Sequence, residues 1–261
     1  MKRIFLFIAL LTAGLWACQN QSESEQTTVI SGTLSTATEG YISLNFGAFL
    51  DSAKISKEGN FSMSLNPEMS GTGMLIFANT FTQVYLEPGK SLTLEITPQN
   101  FPNNVEFGGE LGPVNNYLRL ARKLDRNTAL TNEELYRLKP DRFIHLTDSI
   151  RGLKLQLLKE YVMRYPEMDS AFVTHHKTDV QYAWATQKLR YPGYHRLLTG
   201  QIPNLPDSYH NSYLMQVEIN NPNLMISTVF QGFLEEYLDF KQALYQKDNP
   251  GIDKLWFPES V

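Results

Sequence analysis

Cys18 is the only cysteine in 261 residues, and it is therefore the one thiol in the sequence that could do covalent chemistry. A thiol without a second sulfur has no disulfide partner. Three alternatives remain for it: lipid attachment, a free thiol after ordinary secretion, or a place in an uncleaved anchor. The residues before Cys18 distinguish among these alternatives.

Residues 1–17 have the layout of a secretory signal peptide, with Lys2 and Arg3 followed by a short apolar run and then small residues. The apolar run, residues 4–15, is shorter than the roughly 20 residues that span a bilayer. Leu15-Trp16-Ala17-Cys18 resembles the lipobox of bacterial lipoproteins, although Trp16 is bulkier than the small residue usual at that position.

The lipobox resemblance implies cleavage before Cys18 and acylation at that residue, with palmitate among the chains. Each buried CH₂ contributes roughly 0.8 kcal/mol, so several chains anchor a protein stably. We therefore expect a protein that is lipid-anchored to a membrane of the cell envelope and faces the periplasm or the cell surface. The outer membrane is the favoured location. Residues 18–28 are polar and predict a flexible tether.

The net charge of −4 becomes more negative when Lys2 and Arg3 are removed, and no basic run follows them. Proteins that bind nucleic acid neutralise phosphates with basic side chains. The charge therefore argues against a nucleic-acid partner.

Motifs for catalysis or cofactor binding are missing from the sequence: it has no phosphate loop, dinucleotide fingerprint, zinc-protease motif, nucleophile elbow or C-x-x-C. His175 and His176 are adjacent and would point about 100° apart on a helix, which does not suit one metal. We interpret the acidic residues Glu235, Glu236 and Asp239 as part of the solvent-exposed face of a helix. We expect no cofactor, no metal and no catalytic residue.

One group of aromatic residues is a hypothetical partner-binding site: Tyr182, Trp184, Tyr191 and Tyr194. Clefts commonly form between domains, so we expect the group to lie in such a cleft. The alternative is that these rings belong to the core.

Three serines lie in short Asp-Ser patterns, Asp51-Ser52-Ala53, Asp148-Ser149-Ile150 and Asp169-Ser170-Ala171. These patterns resemble serine sites that are O-glycosylated in some Gram-negative envelopes. The resemblance makes Ser52, Ser149 and Ser170 candidate attachment sites, provided that their hydroxyls are exposed.

Strands are predicted in residues 29–108, where apolar residues alternate with polar ones, as in Phe61, Met63 and Leu65. Met74-Leu75-Ile76-Phe77 is apolar on both faces and is typical of a central strand. Glu87-Pro88-Gly89-Lys90 predicts a type II turn. Seven or eight short strands indicate an antiparallel β-sandwich or a partly open barrel.

Residues 109–248 show helical spacing and predict an α-helical domain, which makes the fold class α+β, with residues 249–261 as a C-terminal tail. Thr131 and Glu134 suggest a capping box. A long helix is expected to start at Asn221-Pro222. Another helix, through Trp184, is expected to break at Tyr191-Pro192-Gly193.

Several motifs resemble the N-terminal part of TlpA/ResA-like thiol-disulfide oxidoreductase lipoproteins of Gram-negative envelopes. They are Asp51-Ser52, Gly59-Asn60-Phe61, the hairpin from Leu86 to Leu92, and Gly109 followed by Asn115-Asn116-Tyr117-Leu118; Leu205-Pro206-Asp207-Ser208-Tyr209 and Asn220-Asn221-Pro222 continue the likeness. In that family a thioredoxin-like domain with a W-C-x-x-C site follows. That site is missing from the 261 residues, so the resemblance transfers no catalytic residue.

Two hypotheses of function follow from these patterns. The first is a membrane-anchored, non-catalytic binding or accessory module with an envelope protein partner, such as a thiol oxidoreductase. The second is the front part of a thioredoxin-like oxidoreductase whose catalytic domain is missing. The first is favoured for this chain.

Overall fold

The computed structural model describes residues 27–36, 39–126 and 130–249. The chain divides into two compact units, with the boundary between Leu118 and Arg119. We call them the β unit and the helical unit. The boundary lies inside the first α-helix, ten residues beyond the predicted end of the strand region at residue 108.

Eight strands form two four-stranded sheets in the β unit. Their bounds are β1 Thr28–Leu34, β2 Tyr41–Phe46, β3 Phe49–Lys54, β4 Asn60–Leu65, β5 Gly71–Phe77, β6 Thr80–Leu86, β7 Ser91–Ile96 and β8 Val105–Gly108. Sheet I has the order β4-β1-β7-β8, and sheet II has the order β3-β2-β5-β6. A short 3₁₀ helix, Pro98–Asn100, precedes β8.

Alternation along each strand gives each sheet one buried face, as the sequence predicts. Ile30, Leu92 and Leu94 of sheet I are fully or almost fully buried, as are Leu44 and Leu75 of sheet II. The pairing is antiparallel except between β1 and β7, which run parallel. The predicted α+β class, with an N-terminal β-sandwich followed by helices, is confirmed.

Two neighbouring asparagines at the start of the first helix, α1 Gly112–Arg126, cap one edge strand of each sheet. Asn115 accepts a hydrogen bond from Tyr85 N (2.7 Å) and donates one to Tyr85 O (3.0 Å), on edge strand β6. Asn116 makes the same pair of bonds with Phe107 on edge strand β8, at 3.3 and 2.6 Å. Each amide replaces a missing strand at that position, because edge strands otherwise present unpaired backbone groups.

The remaining helices are α2 Asn132–Arg137, α3 Pro140–Arg164, α4 Ser170–Thr199, α5 Tyr209–Leu214 and α6 Thr228–Asp248. The predicted capping box is present at α2: Thr131 Oγ1 accepts from Glu134 N, and Glu134 Oε2 accepts from Thr131 N. The core of the helical unit is largely aromatic, and Phe143, Tyr191 and Phe233 are fully buried in it.

The predicted break at Tyr191-Pro192-Gly193 is wrong, because α4 continues through Pro192 to Thr199. A proline in a helix removes the N–H that would bond to the carbonyl four residues earlier. That carbonyl belongs to Lys188, and it accepts a hydrogen bond from Tyr209 Oη instead (2.9 Å). A side chain of α5 thus supplies the bond that Pro192 cannot make.

The predicted start of the last long helix is also wrong. Asn221 caps a 3₁₀ helix, Pro222–Ile226, and Ser227 is the N-cap of α6, where its Oγ accepts from Phe230 N (3.1 Å). Ser227 also donates to Asp179 Oδ1 of α4 (2.6 Å), and this tertiary bond holds the cap in place. Both Asn and Ser are good N-caps, so sequence alone does not separate the two starts.

Candidate functional site

The four aromatic residues of the hypothetical partner site all lie on α4, and the structure separates them. Tyr182, Trp184 and Tyr191 are buried in the core of the helical unit. Tyr194 is 44% exposed and is the only one of the four at the surface. A partner could therefore contact Tyr194 directly, whereas the other three rings serve packing.

Trp184 is held by a polar network that the sequence did not indicate. Its Nε1 donates to Asp148 Oδ1 (2.7 Å), and the ammonium of Lys188 lies 2.6 Å from the same oxygen. The Arg151 guanidinium stacks 4.0 Å from the centre of the Trp184 ring. Burial lowers the pKa of Lys188, and the hydrogen bond to Asp148 partly offsets this effect.

Tyr182 and Tyr191 each donate their hydroxyl hydrogen to a backbone carbonyl. Tyr182 Oη bonds to Glu218 O at 2.5 Å, and Tyr191 Oη bonds to Leu138 O at 2.7 Å. Buried tyrosines usually find such a partner, because an unsatisfied hydroxyl is costly. Burial raises the pKa of Tyr191 to about 12, so its hydroxyl remains a donor throughout the physiological range.

Tyr194 belongs to the lining of a groove of about 540 Å³ among three helices. We call it the α2–α4–α6 groove. It is lined from α2 by Asn132, Glu133 and Tyr136, from α4 by Ala183, Thr186, Gln187, Arg190, Tyr194 and Leu198, and from α6 by Thr228, Val229 and Gly232. Its volume falls within the range of ligand pockets, about 300–1,000 Å³.

One wall of the groove is an aromatic pair fixed by backbone contacts. The rings of Tyr194 and Tyr136 stack with centroids 5.0 Å apart. The carbonyl of Tyr136 lies 2.9 Å from His195 Nδ1, and Arg137 donates to Leu198 O (2.6 Å), so α2 is attached to the end of α4 on both sides of the pair. This wall is preorganised.

The charged groups of the groove are already paired. Arg190 donates to Glu236 Oε1 from Nε (2.7 Å), and its NH2 group lies 2.6 Å from the same oxygen. Glu133 accepts from Arg137 (2.7 Å). Asn132 and Gln187 add amide groups, which both donate and accept. The arrangement suits a neutral, amide-rich ligand better than an ion.

Gly232 leaves room on the α6 side of the groove, since a Cβ built on it would meet no atom within 4 Å. Gly232 and Arg190 were not predicted from the sequence. A sequence signal for part of the groove does exist, because the α4 residues Ala183, Thr186, Gln187, Arg190 and Tyr194 recur at the three- and four-residue spacing of one helix face.

His175 and His176, which are adjacent on α4, contact different neighbours. His175 Nε2 lies 3.4 Å from Asp179, whereas the His176 ring stacks on Phe172 with centroids 5.5 Å apart. Burial, together with Lys154 and His175, lowers the pKa of His176 to about 4. Within residues 27–36, 39–126 and 130–249, no group of three or more His, Cys, Asp or Glu side chains could hold a metal ion.

The three candidate glycosylation serines are exposed. Ser52 lies on β3, and its Oγ is 2.9 Å from Ser43 Oγ. Ser149 lies on α3, and Ser170 is the first residue of α4. The steric requirement for a glycan is therefore met at all three.

Cys18, the predicted signal peptide of residues 1–17 and most of the predicted tether lie outside the described residues, as does the predicted tail beyond residue 249. Among the helices that the structure describes, none is long and apolar enough to cross a bilayer.

Comparisons with known proteins give one partial likeness. No protein-family model matches the chain, and no curated protein matches it. The crystal structure of a DUF3823 family protein from Bacteroides ovatus is similar to part of it, with 12% identity and a TM-score of 0.22. The match covers 33% of this chain and 57% of that chain, and a likeness at this level supports no statement about function.

Proposed function

We propose that the chain is a lipid-anchored lipoprotein of a bacterial cell envelope and acts as a non-catalytic binding module. The observation that carries the binding role is the α2–α4–α6 groove. Its aromatic wall is fixed, and its Arg190 and Glu133 are neutralised by Glu236 and Arg137. The ligand is a segment of an envelope protein partner.

A polypeptide segment suits this groove because backbone amides carry no charge and both donate and accept hydrogen bonds. Asn132 on α2 and Gln187 on α4 both line the groove and offer such amides. The exposed ring of Tyr194 adds an apolar surface, and tyrosine is enriched where proteins bind one another.

Filling the groove tests the binding role. Gly232→Leu places a side chain in the open space and also improves helix propensity in α6. We expect the full chain with this change to fold and to lose its partner in pull-downs from envelope extract. The partner is identified by mass spectrometry, and its dissociation constant is then measured with purified protein.

Gly152→Leu is the matched control, because Gly152 is a helical glycine of α3 with equally open surroundings and lies outside the groove. Equal affinity of the Gly232→Leu and Gly152→Leu variants for the partner would contradict binding in the groove. Trp184→Ala is a poorer test, since truncating this buried ring costs stability as well.

Membrane anchoring is tested separately at Cys18. Intact-mass analysis of membrane-extracted protein should show cleavage before Cys18 and added acyl mass. Cys18→Ala should release the protein or leave its precursor uncleaved. A Cys18→Ala protein that is processed and still bound to membranes would contradict lipid anchoring.

The partner class that the family resemblance suggests is a thiol oxidoreductase. The chain itself should not reduce insulin, because exchange needs a thiolate and Cys18 would be a thioether after lipidation. Recovery of a thiol oxidoreductase with wild-type protein, but not with Gly232→Leu, would support a role in a redox pathway.

The second candidate function is the front part of a thioredoxin-like oxidoreductase, which the Leu86–Leu92 hairpin and the Asn115-Asn116-Tyr117-Leu118 motif favour by resemblance. The gene sequence after codon 261 distinguishes the two. A continuing frame with W-C-x-x-C, together with a chain that aggregates unless it is fused to that domain, would support this second function.

O-glycosylation of at least one of the three candidate serines, Ser52, Ser149 and Ser170, is part of the proposal for an envelope protein. Peptide mass spectrometry of native protein should find hexose-containing mass on at least one of the three. Unmodified serines at all three positions would contradict the proposed O-glycosylation.

A further inference from the structure

Sheet II exposes an unusual set of side chains on the face opposite its buried one. The register places Ser43 beside Ser52 on one side and Ile76 on the other, and Ile76 beside Phe81. Asn45 in the next row lies beside Met74. We call this surface the sheet-II outer face.

Two aromatic rings dominate this face. Tyr41 is 61% exposed and Phe81 is 59% exposed, on strands β2 and β6, with β5 between them. Strands lie about 4.8 Å apart and rise about 3.3 Å per residue, which puts the two Cα atoms roughly 12 Å apart. Ser43 and Ile76 lie in the same row as Phe81, Lys54 is paired with Tyr41, and Asn45 and Met74 lie one row farther along the strands, on the side away from Tyr41.

Charge is almost missing from the face. Of the side chains that alternate onto it along the four described strands, Lys54 alone is charged at neutral pH, and it lies at the end of β3. The outer face of sheet I, by contrast, carries Glu95 and Glu106 among serines and threonines. A solvated sheet face is normally polar, so the composition of sheet II points to a ligand.

We propose that the sheet-II outer face binds a neutral oligosaccharide. The C–H faces of sugar rings pack against Tyr41 and Phe81, and sugar hydroxyls bond to Asn45 and to the Ser43–Ser52 hydroxyl pair. Those hydroxyls are 2.9 Å apart, and each retains bonding capacity beyond the bond they share.

Other occupants fit the face less well. A phosphate-bearing headgroup or an acidic polymer would need cations, and Lys54 is the only one on the face. An apolar partner would leave Asn45 and the two serine hydroxyls buried without new bonds, which is unfavourable. A neutral polyhydroxylated ligand satisfies both the rings and the hydroxyls.

The test is native-gel retardation of the full, detergent-solubilised chain in soluble glucomannan, galactomannan, xyloglucan and amylopectin. For any polymer that retards the chain, isothermal titration calorimetry then measures the affinity for the corresponding hexasaccharide. We expect retardation by at least one polymer and at least tenfold weaker binding for both Tyr41→Ala and Phe81→Ala. Tyr41→Phe, which keeps the ring, should bind within about threefold of wild type.

Val29→Ala is the matched control, because Val29 is exposed on the outer face of sheet I. Thermal melts check that each variant is folded. If Phe81→Ala does not fold, Tyr41→Ala and Asn45→Ala carry the test.

The proposal is overturned by any of four results. The first is the absence of retardation by all four polymers, and the second is unchanged binding in Tyr41→Ala. The third is a glycan on Ser52 of native protein, which would show that the chain's own sugar occupies the face. A dimer that Tyr41→Ala converts to a monomer, without saccharide binding, would assign the face to a second copy and also overturn it.

Discussion

The two units bury different kinds of side chain. In the strands of the β unit the fully buried hydrophobic residues are aliphatic, and in the helical unit the large ones are aromatic. The strand set includes Ile30, Ile42, Leu44, Leu75, Val84, Leu86, Leu92 and Val105, whereas the helical set includes Phe143, Tyr191, Tyr213, Phe230 and Phe233.

This difference changes how each unit is held together. Aliphatic residues contribute through burial alone, so the β unit depends on register and on the Asn115 and Asn116 edge caps. Tyrosines carry hydroxyls into the helical core, where each must find a carbonyl, as Tyr209 does at Lys188. The helical unit therefore has hydrogen bonds from several aromatic core residues, whereas the buried polar bonds described in the β unit come from Thr28 and Asn115.

The largest effect is expected where that polar interior holds a charge. Asp148→Ala leaves the ammonium of Lys188, which is 4% exposed, without its partner. Removing the partner of a buried charge costs about 3 kcal/mol, because the remaining charge is desolvated. Chemical denaturation at pH 7 should show this loss in the free energy of unfolding.

Two further measurements check that Lys188 is the cause. Lys188→Met should cost less, since Asp148 is half exposed and remains hydrated. The pKa of Lys188 is already below its ordinary value in the folded protein, and Asp148→Ala should lower it further. Stability then rises with pH between the folded and unfolded pKa values, so the deficit should shrink toward pH 10. A deficit that does not depend on pH would point to lost packing around Trp184 instead.

The next effect concerns the edges of the β unit. Asn115 is fully buried and makes three hydrogen bonds, to Tyr85 N, Tyr85 O and Leu111 O. Asn115→Ala should therefore cost about 2 kcal/mol, because it leaves buried backbone groups unsatisfied. Asn116→Ala should cost about half as much, since Asn116 is only partly buried and water can replace its amide. If urea denaturation shows that Asn115→Ala and Asn116→Ala lower the free energy of unfolding equally, burial does not determine how much an edge cap stabilises the β unit.

The β unit could be predicted because its signal is local. Alternation in Phe61, Met63 and Leu65 gives β4 directly, and Gly89 has the positive φ of 73° that the predicted turn requires. The parallel pairing of β1 with β7 joins residues about 60 positions apart, and alternation carries no information about partners. The edge-capping role of Asn115 depends on such long-range neighbours.

The helical unit was predicted less well for the same reason. The run of α4 through Pro192 depends on Tyr209, 17 residues later, and the start of α6 depends on the bond between Ser227 and Asp179. Among the aromatic candidates, sequence could not separate Tyr194 from Trp184, because both are aromatic residues of the same helix. Burial decides between them, and burial is a tertiary property.

Acid should distinguish the units, because all five histidines lie in the helical unit. The pKa of His176 is about 4 in the folded protein, against about 6.5 unfolded. A lowered pKa means that stability is complete above pH 6.5 and is lost as the pH falls toward 4, by about 1 kcal/mol at pH 5.5. Denaturation of wild type and His176→Gln at pH 7.5 and 5.5 measures this loss. An unchanged acid loss in His176→Gln would show that other groups cause it.

The smallest effect separates the hydroxyl of a core tyrosine from its ring. Tyr191→Phe keeps the stacking on Phe143, where the centroids are 3.9 Å apart, but removes the hydrogen bond to Leu138 O. We expect a loss of about 1 kcal/mol, the usual net worth of one such bond plus an unsatisfied carbonyl. Tyr194→Phe, at the exposed wall of the groove, should stay within about 0.5 kcal/mol of wild type. Thermal and urea unfolding of the two variants side by side gives the difference. If Tyr191→Phe costs no more than Tyr194→Phe, the hydroxyls of the aromatic core contribute nothing measurable. The two units would then be held by the same force, burial, and would differ only in the shape of the side chains that they bury.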